Sequence, residues 1–282
     1  MKTATLLFAT GALLLGAAVQ SHAEDPAAFT VHEWGTFTVV VGSDGRQVPW
    51  WTADSEGPSA LPPFVKPVSI SLAKSQTWLM RMETPVLYFY SPPSDLVTIR
   101  VDDSKLRVTE AFPGPSGLGF DNGFGIQWRV RLHPPNHETR RFVPHVGARG
   151  AHYRHAREVP DAWIVEGLND DLRTGVEKFI FYRGAGSQYL PGRIAAVADG
   201  RVKLDRGGLP AYLVEADGLA VKWRRIEGVA AGIKERGFET PYPSRDKQAQ
   251  QGAEGLAAAL EGDLIDAGLT SAEARAMVTT WR

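Results

Sequence analysis

The sequence predicts a mainly β protein, an antiparallel β-sandwich or open barrel with a C-terminal helical hairpin. Three observations carry that prediction. Short β-branched and aromatic runs recur through residues 24–245, and Gly, Pro, Asp and Ser clusters punctuate them. Little helical periodicity separates the runs, which argues for hairpins rather than βαβ units. From residue 246 onward the apolar spacing changes from two to about four.

The first 23 residues stand apart. Lys2 precedes an apolar stretch from Ala4 to Val19, and Ser21-His22-Ala23 has the small-x-small form of a signal-peptidase site. The apolar segment is too short for a comfortable membrane span. Residues 1–23 therefore read as a cleaved signal peptide ending at Ala23, with an exported, periplasmic or extracellular mature chain. The sequence has no cysteine, which excludes thiolate metal sites and cysteine nucleophiles.

Next comes "FTVHEWGTFTVVVGSDG" (29–45), a strand, a Gly-Ser-Asp-Gly turn and a returning strand. Counted by twos, Phe29, Val31, Glu33, Gly35, Phe37, Val39 and Val41 share one face. Glu33 is the single charge on it. Pro49 to Pro67 reads as a loop carrying Trp50 and Trp51. "METPVLYFYS" (82–91), "LVTIRVD" (96–102), "KLRVTEAF" (105–112) and "GIQWRVRLH" (125–133) read as strands, with a Gly-rich loop from Pro113 to Gly125. "EKFIFYR" (177–183), an Asp199-Gly200 hairpin within 192–205, "AYLVEAD" (211–217) and "LAVKWRRIE" (219–227) complete the β region. Leu256, Leu260 and Leu264 then mark a helix, Gly268 its C-terminal cap, and Thr270 with Glu273 a capping box that opens a second helix. Trp281 at the end of that helix suggests that further chain follows.

An ionised carboxylate on an apolar face needs a partner or a proton. Arg81 is the expected partner of Glu33, because a guanidinium holds a carboxylate through two parallel hydrogen bonds. Glu83 shares the parity of Arg81. A second concentration of titratable groups, residues 140–163, holds His145, His152, His155, Arg157 and Glu158, and Tyr182 and Arg183 follow at a strand end.

Three functional readings stay open. In the first, the polar groups form a buried structural network. In the second, a metal-assisted hydrolase uses Glu33 and Glu83 as catalytic carboxylates and His32, His152 and His155 as ligands of a divalent metal. In the third, a non-catalytic site binds a carbohydrate or cell-envelope fragment through Trp34, Arg81, Arg157, Tyr182 and Arg183. A divalent metal and no cofactor at all are equal alternatives. With 31 basic and 32 acidic residues and no long run of either sign, the chain has no nucleic-acid signature, and the mature part has no membrane span.

The blocks "VHEWGTFT" (31–38) and "RMETPVLYFY" (81–90) resemble a family of uncharacterised exported bacterial proteins. "HYRHARE" (152–158), "EKFIFYRGAG" (177–186) and "LTSAEARAMVTTW" (269–281) resemble later blocks of that family. The resemblance implies one exported unit and draws attention to His32, Glu33, Trp34, Arg81, Glu83, His152, Arg157, Tyr182 and Arg183. It brings no reaction with it.

Overall fold

The computed structural model describes residues 29–281 except 43, 45, 50, 53–60, 69–76, 84, 91–95, 102–105, 119–124, 148–149, 187–193, 198–199, 207–209, 218–219 and 231–234. The signal-peptide reading, with its cleavage at Ala23, and the Trp50 reading lie outside the described residues. So does Asp199 of the proposed hairpin, although its strands Ile194–Val197 and Arg201–Arg206 pair as expected around Gly200, whose φ is 67°.

Every strand pairing among the described residues is antiparallel, and the sheets are open rather than closed into a barrel. The central strand of the first sheet is Ile180–Gly186. On one edge it pairs with Leu106–Phe112. On the other it meets Val86–Tyr90 at Ile180 and Phe181, and Met80–Met82 at Gly184 to Gly186. Thr30–Trp34 adds to Val86–Tyr90, and Phe37–Val41 adds to Met80–Met82.

The expected single strand from Phe29 to Val41 is therefore two strands, interrupted at Gly35 and Thr36. The interruption faces a second one at Glu83 and Pro85. A Cβ on Gly35 would come 2.8 Å from the Pro85 Cα, so only glycine lets the backbones approach there. The Glu83 N–H still donates to the Thr36 carbonyl at 2.9 Å, which keeps the two broken strands in register. Alternation survives the first break, with Val31 and Phe37 both toward the sandwich, but not the second, where Met82 and Leu87 both enter that core.

The second sheet consists chiefly of Leu96–Val101, Ile126–His133, Ile164–Asn169 and Leu172–Glu177. The two sheets close on one core: Met82, Leu87, Phe89 and Ile180 meet Ile126, Trp128, Val130 and Leu132. Side chains so fully buried contribute roughly 1.5–3 kcal/mol each through removal of apolar area from water. The other face of the first sheet, with Trp34, Tyr88 and Phe181, packs against helix α1 (Ala151–His155), helix α2 (Ala253–Asp266) and helix α3 (Ser271–Thr280). The layers run second sheet, first sheet, helices.

Residues Arg201–Arg206, Ala211–Asp217, Ala220–Ile226 and Glu235–Pro241 build a smaller β unit around Val202, Leu204, Leu213 and Ile226. Arg225 fastens α2 to it, donating to both carboxylate oxygens of Asp263 at 2.8 Å. The helical hairpin forms as expected, with Gly268 at φ 106° ending the first helix and the Thr270–Glu273 capping box starting the second. No described helix is long and apolar enough to cross a membrane.

Candidate functional site

Glu33 and Tyr182 meet on the sandwich side of the first sheet. Glu33 lies opposite Leu87, and Leu87 lies opposite Ile180, so Glu33 shares its face with Ile180 and, two residues on, Tyr182. The Tyr182 hydroxyl donates to Glu33 Oε1. Burial raises the Glu33 carboxyl above its ordinary range, and the tyrosine hydrogen bond only partly offsets this. Burial, then the Glu33 charge, pushes the Tyr182 phenol well above its own ordinary value. Glu33 is half-buried and stands on the strand that ends the sheet, at the open margin of the sandwich.

The expected Glu33–Arg81 pair does not form. Arg81 lies opposite Ala185, which places it on the helix side of the sheet, whereas Glu33 faces the sandwich. Among the described residues no cation comes within ion-pair distance of Glu33. Arg81 instead meets Glu83, Nε to Oε1 at 3.2 Å, and Arg183 reaches the other oxygen of Glu83 at 3.4 Å. Glu83 thus sits between two arginines at the strand interruption. Beside it the Trp281 indole N–H donates to Thr36 Oγ1 at 2.8 Å. Trp281 packs on the helix-side core.

His32 faces the helix side too. Its Nδ1–H donates to Glu273 of α3 at 2.8 Å, and Glu273 is fully buried. Burial pushes the Glu273 carboxyl upward, but hydrogen bonds from His32 and from the Thr270 N–H outweigh it and hold the group below its ordinary range. His155 engages Glu158 near the surface at 3.2 Å. His152 lies on α1, and its side chain is outside the described set. Among the described residues no group of three or more His, Asp or Glu converges as a metal would require.

Arg157 belongs to a further network. Its Nε donates to both oxygens of Glu177, at 3.0 and 3.1 Å, and its Nη1 to the Pro144 carbonyl at 2.7 Å. The Tyr153 hydroxyl and the Lys178 N–H complete the shell of Glu177, which is fully buried. Burial pushes Glu177 upward while Arg157 opposes it. Burial also depresses the neighbouring Lys178 ammonium to about 8, with the Arg140 charge adding to the effect. The lysine donates to the Arg157 carbonyl at 3.1 Å and to the Val159 carbonyl.

Trp34 is only 2 % exposed and packs beside Tyr88, its ring centroid 6.1 Å away, so it offers no stacking face to a ligand. It also lies across the sheet from Glu33. Apart from Trp34 and His152, the nominated residues therefore divide among five places: Glu33 with Tyr182, Arg81 with Glu83 and Arg183, His32 with Glu273, His155 with Glu158, and Arg157 with Glu177. The partners Glu177 and Tyr153 escaped the sequence reading, and Glu273 entered it as a helix cap alone. Nothing in its spacing signals a histidine 241 residues away.

Comparisons with family models, curated proteins and solved structures returned no match for this chain.

Proposed function

We propose that the chain is an exported, non-catalytic binding protein that holds a hydroxyl-bearing ligand, a carbohydrate or cell-envelope fragment, at the margin of the sandwich. The supporting observation is Glu33. It is an acid without a cation among the described residues, half-buried, on a sheet-end strand, and pinned through one oxygen by Tyr182. Its Oε2 accepts no hydrogen bond from the described residues, which leaves an oriented polar atom for a ligand hydroxyl. A carboxyl in this setting is worth more to a sugar hydroxyl than one in water, because the surrounding apolar layer strengthens the hydrogen bond.

The remaining polar groups support architecture. Arg157 and Glu177 lie in the helix-side layer, and His32 with Glu273 ties α3 to the first sheet. The hydrolase reading draws no support from His32 and His155, which engage different carboxylates.

A glycan array carrying neutral oligosaccharides and muropeptides tests the proposal. The parent is expected to bind a member of the array, and Tyr182→Phe and Glu33→Ala to lose that binding by about tenfold or more while keeping the parent's far-ultraviolet dichroism. Absence of any bound glycan, or binding at the parent's level by either variant, would sink it.

A further inference from the structure

We infer that the outer face of the second sheet is a docking surface for an anionic polysaccharide. It is independent of the Glu33 margin, since its residues point away from the sandwich core.

The strand Ile126–His133 alternates buried and outward positions. Ile126, Trp128, Val130 and Leu132 enter the core, while Gln127, Arg129, Arg131 and His133 face out. On the neighbouring strand, Leu96, Thr98 and Arg100 are exposed. Register places Arg100 across from Gln127, and Leu168 across from both Arg129 and Arg173. Four arginines therefore occupy one face: Arg100, Arg129, Arg131 and Arg173. Residues i and i+2 lie about 7 Å apart along a strand and adjacent strands about 4.8 Å apart. That grid is comparable to the spacing of charges along a chain of acidic sugars.

Among the described outward positions of these strands the acid is Glu166, and it is already committed: it is buried, with His133 Nε2 at 2.8 Å, Arg173 Nε at 2.6 Å and Arg131 Nη1 at 3.9 Å, so three cations share one carboxylate. It holds the platform in place and projects little negative charge outward. The short helix Glu138–Phe142 adds exposed Arg140 and Arg141 at the margin, with exposed Glu138 beside Arg141. The formal charge of the whole chain is −1, so this face is a local concentration of cations.

The aromatic content selects the kind of polyanion. Sheets that bind single-stranded nucleic acid stack bases on exposed rings. Among the described residues the exposed rings at this margin are Phe142, with Arg173 at 4.4 Å and Arg141 at 4.9 Å over it, and His137, stacked on His133 at 4.5 Å, so both already have a stacking neighbour. An acidic polysaccharide needs the cations and no stacking platform.

Retention of the full chain on immobilised polygalacturonate, with dextran and oligothymidylate as comparators, tests the inference. Retention on polygalacturonate but not dextran is expected, weakening as sodium chloride rises. Arg100→Gln with Arg129→Gln, which leaves the Glu166 contacts intact, is expected to weaken retention by about tenfold, and Arg100→Lys with Arg129→Lys to preserve most of it. Thermal unfolding confirms that both doubles fold. No retention at low salt, undiminished retention by the glutamine double, equal loss in the lysine double, or tighter binding of oligothymidylate would each overturn it.

Discussion

Glu33 and Arg81 project from opposite faces of one sheet. Glu33 lies with Ile180, Tyr182 and Met82 toward the sandwich, and Arg81 lies with Ala185, Phe181 and Trp34 toward the helices. A backbone layer separates them, so their energies are expected to add. A double-mutant cycle of Glu33→Gln and Arg81→Met should give a coupling below about 0.5 kcal/mol by urea unfolding. A coupling of several times that size would mean the two side chains meet in solution.

The raised Glu33 carboxyl sets the sign of a pH effect. The folded chain holds this proton more tightly than the unfolded chain does. The stabilising contribution is complete below the ordinary glutamate value of 4.5 and is lost as pH rises through the folded value. Glu33→Gln removes that loss while keeping an acceptor for Tyr182. Relative to the parent, the variant should gain in urea midpoint as pH rises from about 4 to about 7. A difference that stays constant over that span would show that Glu33 titrates normally.

Arg157 and Glu177 are expected to behave as a unit. Glu177→Leu leaves a guanidinium in the helix-side layer without its counter-charge, a change that typically costs about 3–5 kcal/mol. Arg157→Met strands the carboxylate and should cost a similar amount. Replacing both, Arg157→Met with Glu177→Leu, removes the uncompensated charge, so the double should be more stable than either single. Equilibrium urea unfolding of the three variants decides this. A double as unstable as the sum of the singles would mean that the pair is not coupled.

What the sequence made legible was periodicity. The strands Val86–Tyr90, Ile126–His133 and Ala220–Ile226 follow from β-branched and aromatic runs, and α3 follows from its capping box. The hairpin Ile164–Asn169 with Leu172–Glu177 was missed because its second strand, LRTGVE, is half exposed and carries no apolar run. Its turn holds Asp170 at φ 52°, in the region that Asn and Asp tolerate best among residues with a Cβ. The site was less legible. Parity correctly put Glu33 on an apolar face, but it could not say which face of the sheet Arg81 occupies, because the chain leaves the strand after Met82 and re-enters it at Val86 with the opposite parity. The arginine face was hidden for a related reason. Its cations alternate with core residues, so no basic run forms along the chain.

Glu273 carries the opposite pH dependence from Glu33. Its carboxyl is held below the ordinary value of 4.5, so its contribution is present above that value and is lost as pH falls through the folded one. Two roles meet in this residue: it closes the capping box of α3 through the Thr270 N–H at 2.7 Å, and it accepts from His32 at 2.8 Å. Losing the carboxylate half of the capping box, one hydrogen bond, costs about 0.5–1.5 kcal/mol, and leaving a half-buried imidazole without its acceptor costs about 1–3 kcal/mol. Glu273→Ala should therefore destabilise by about 2–4 kcal/mol at neutral pH, with the gap from the parent narrowing under acid. Thr270→Ala removes only the reciprocal hydroxyl and should cost about 1 kcal/mol. Amide hydrogen exchange across residues 271–280 separates the two roles. Exchange should quicken far more in Glu273→Ala than in Thr270→Ala if His32 anchors the helix to the sheet. Equal exchange in the two variants would reduce Glu273 to a helix cap.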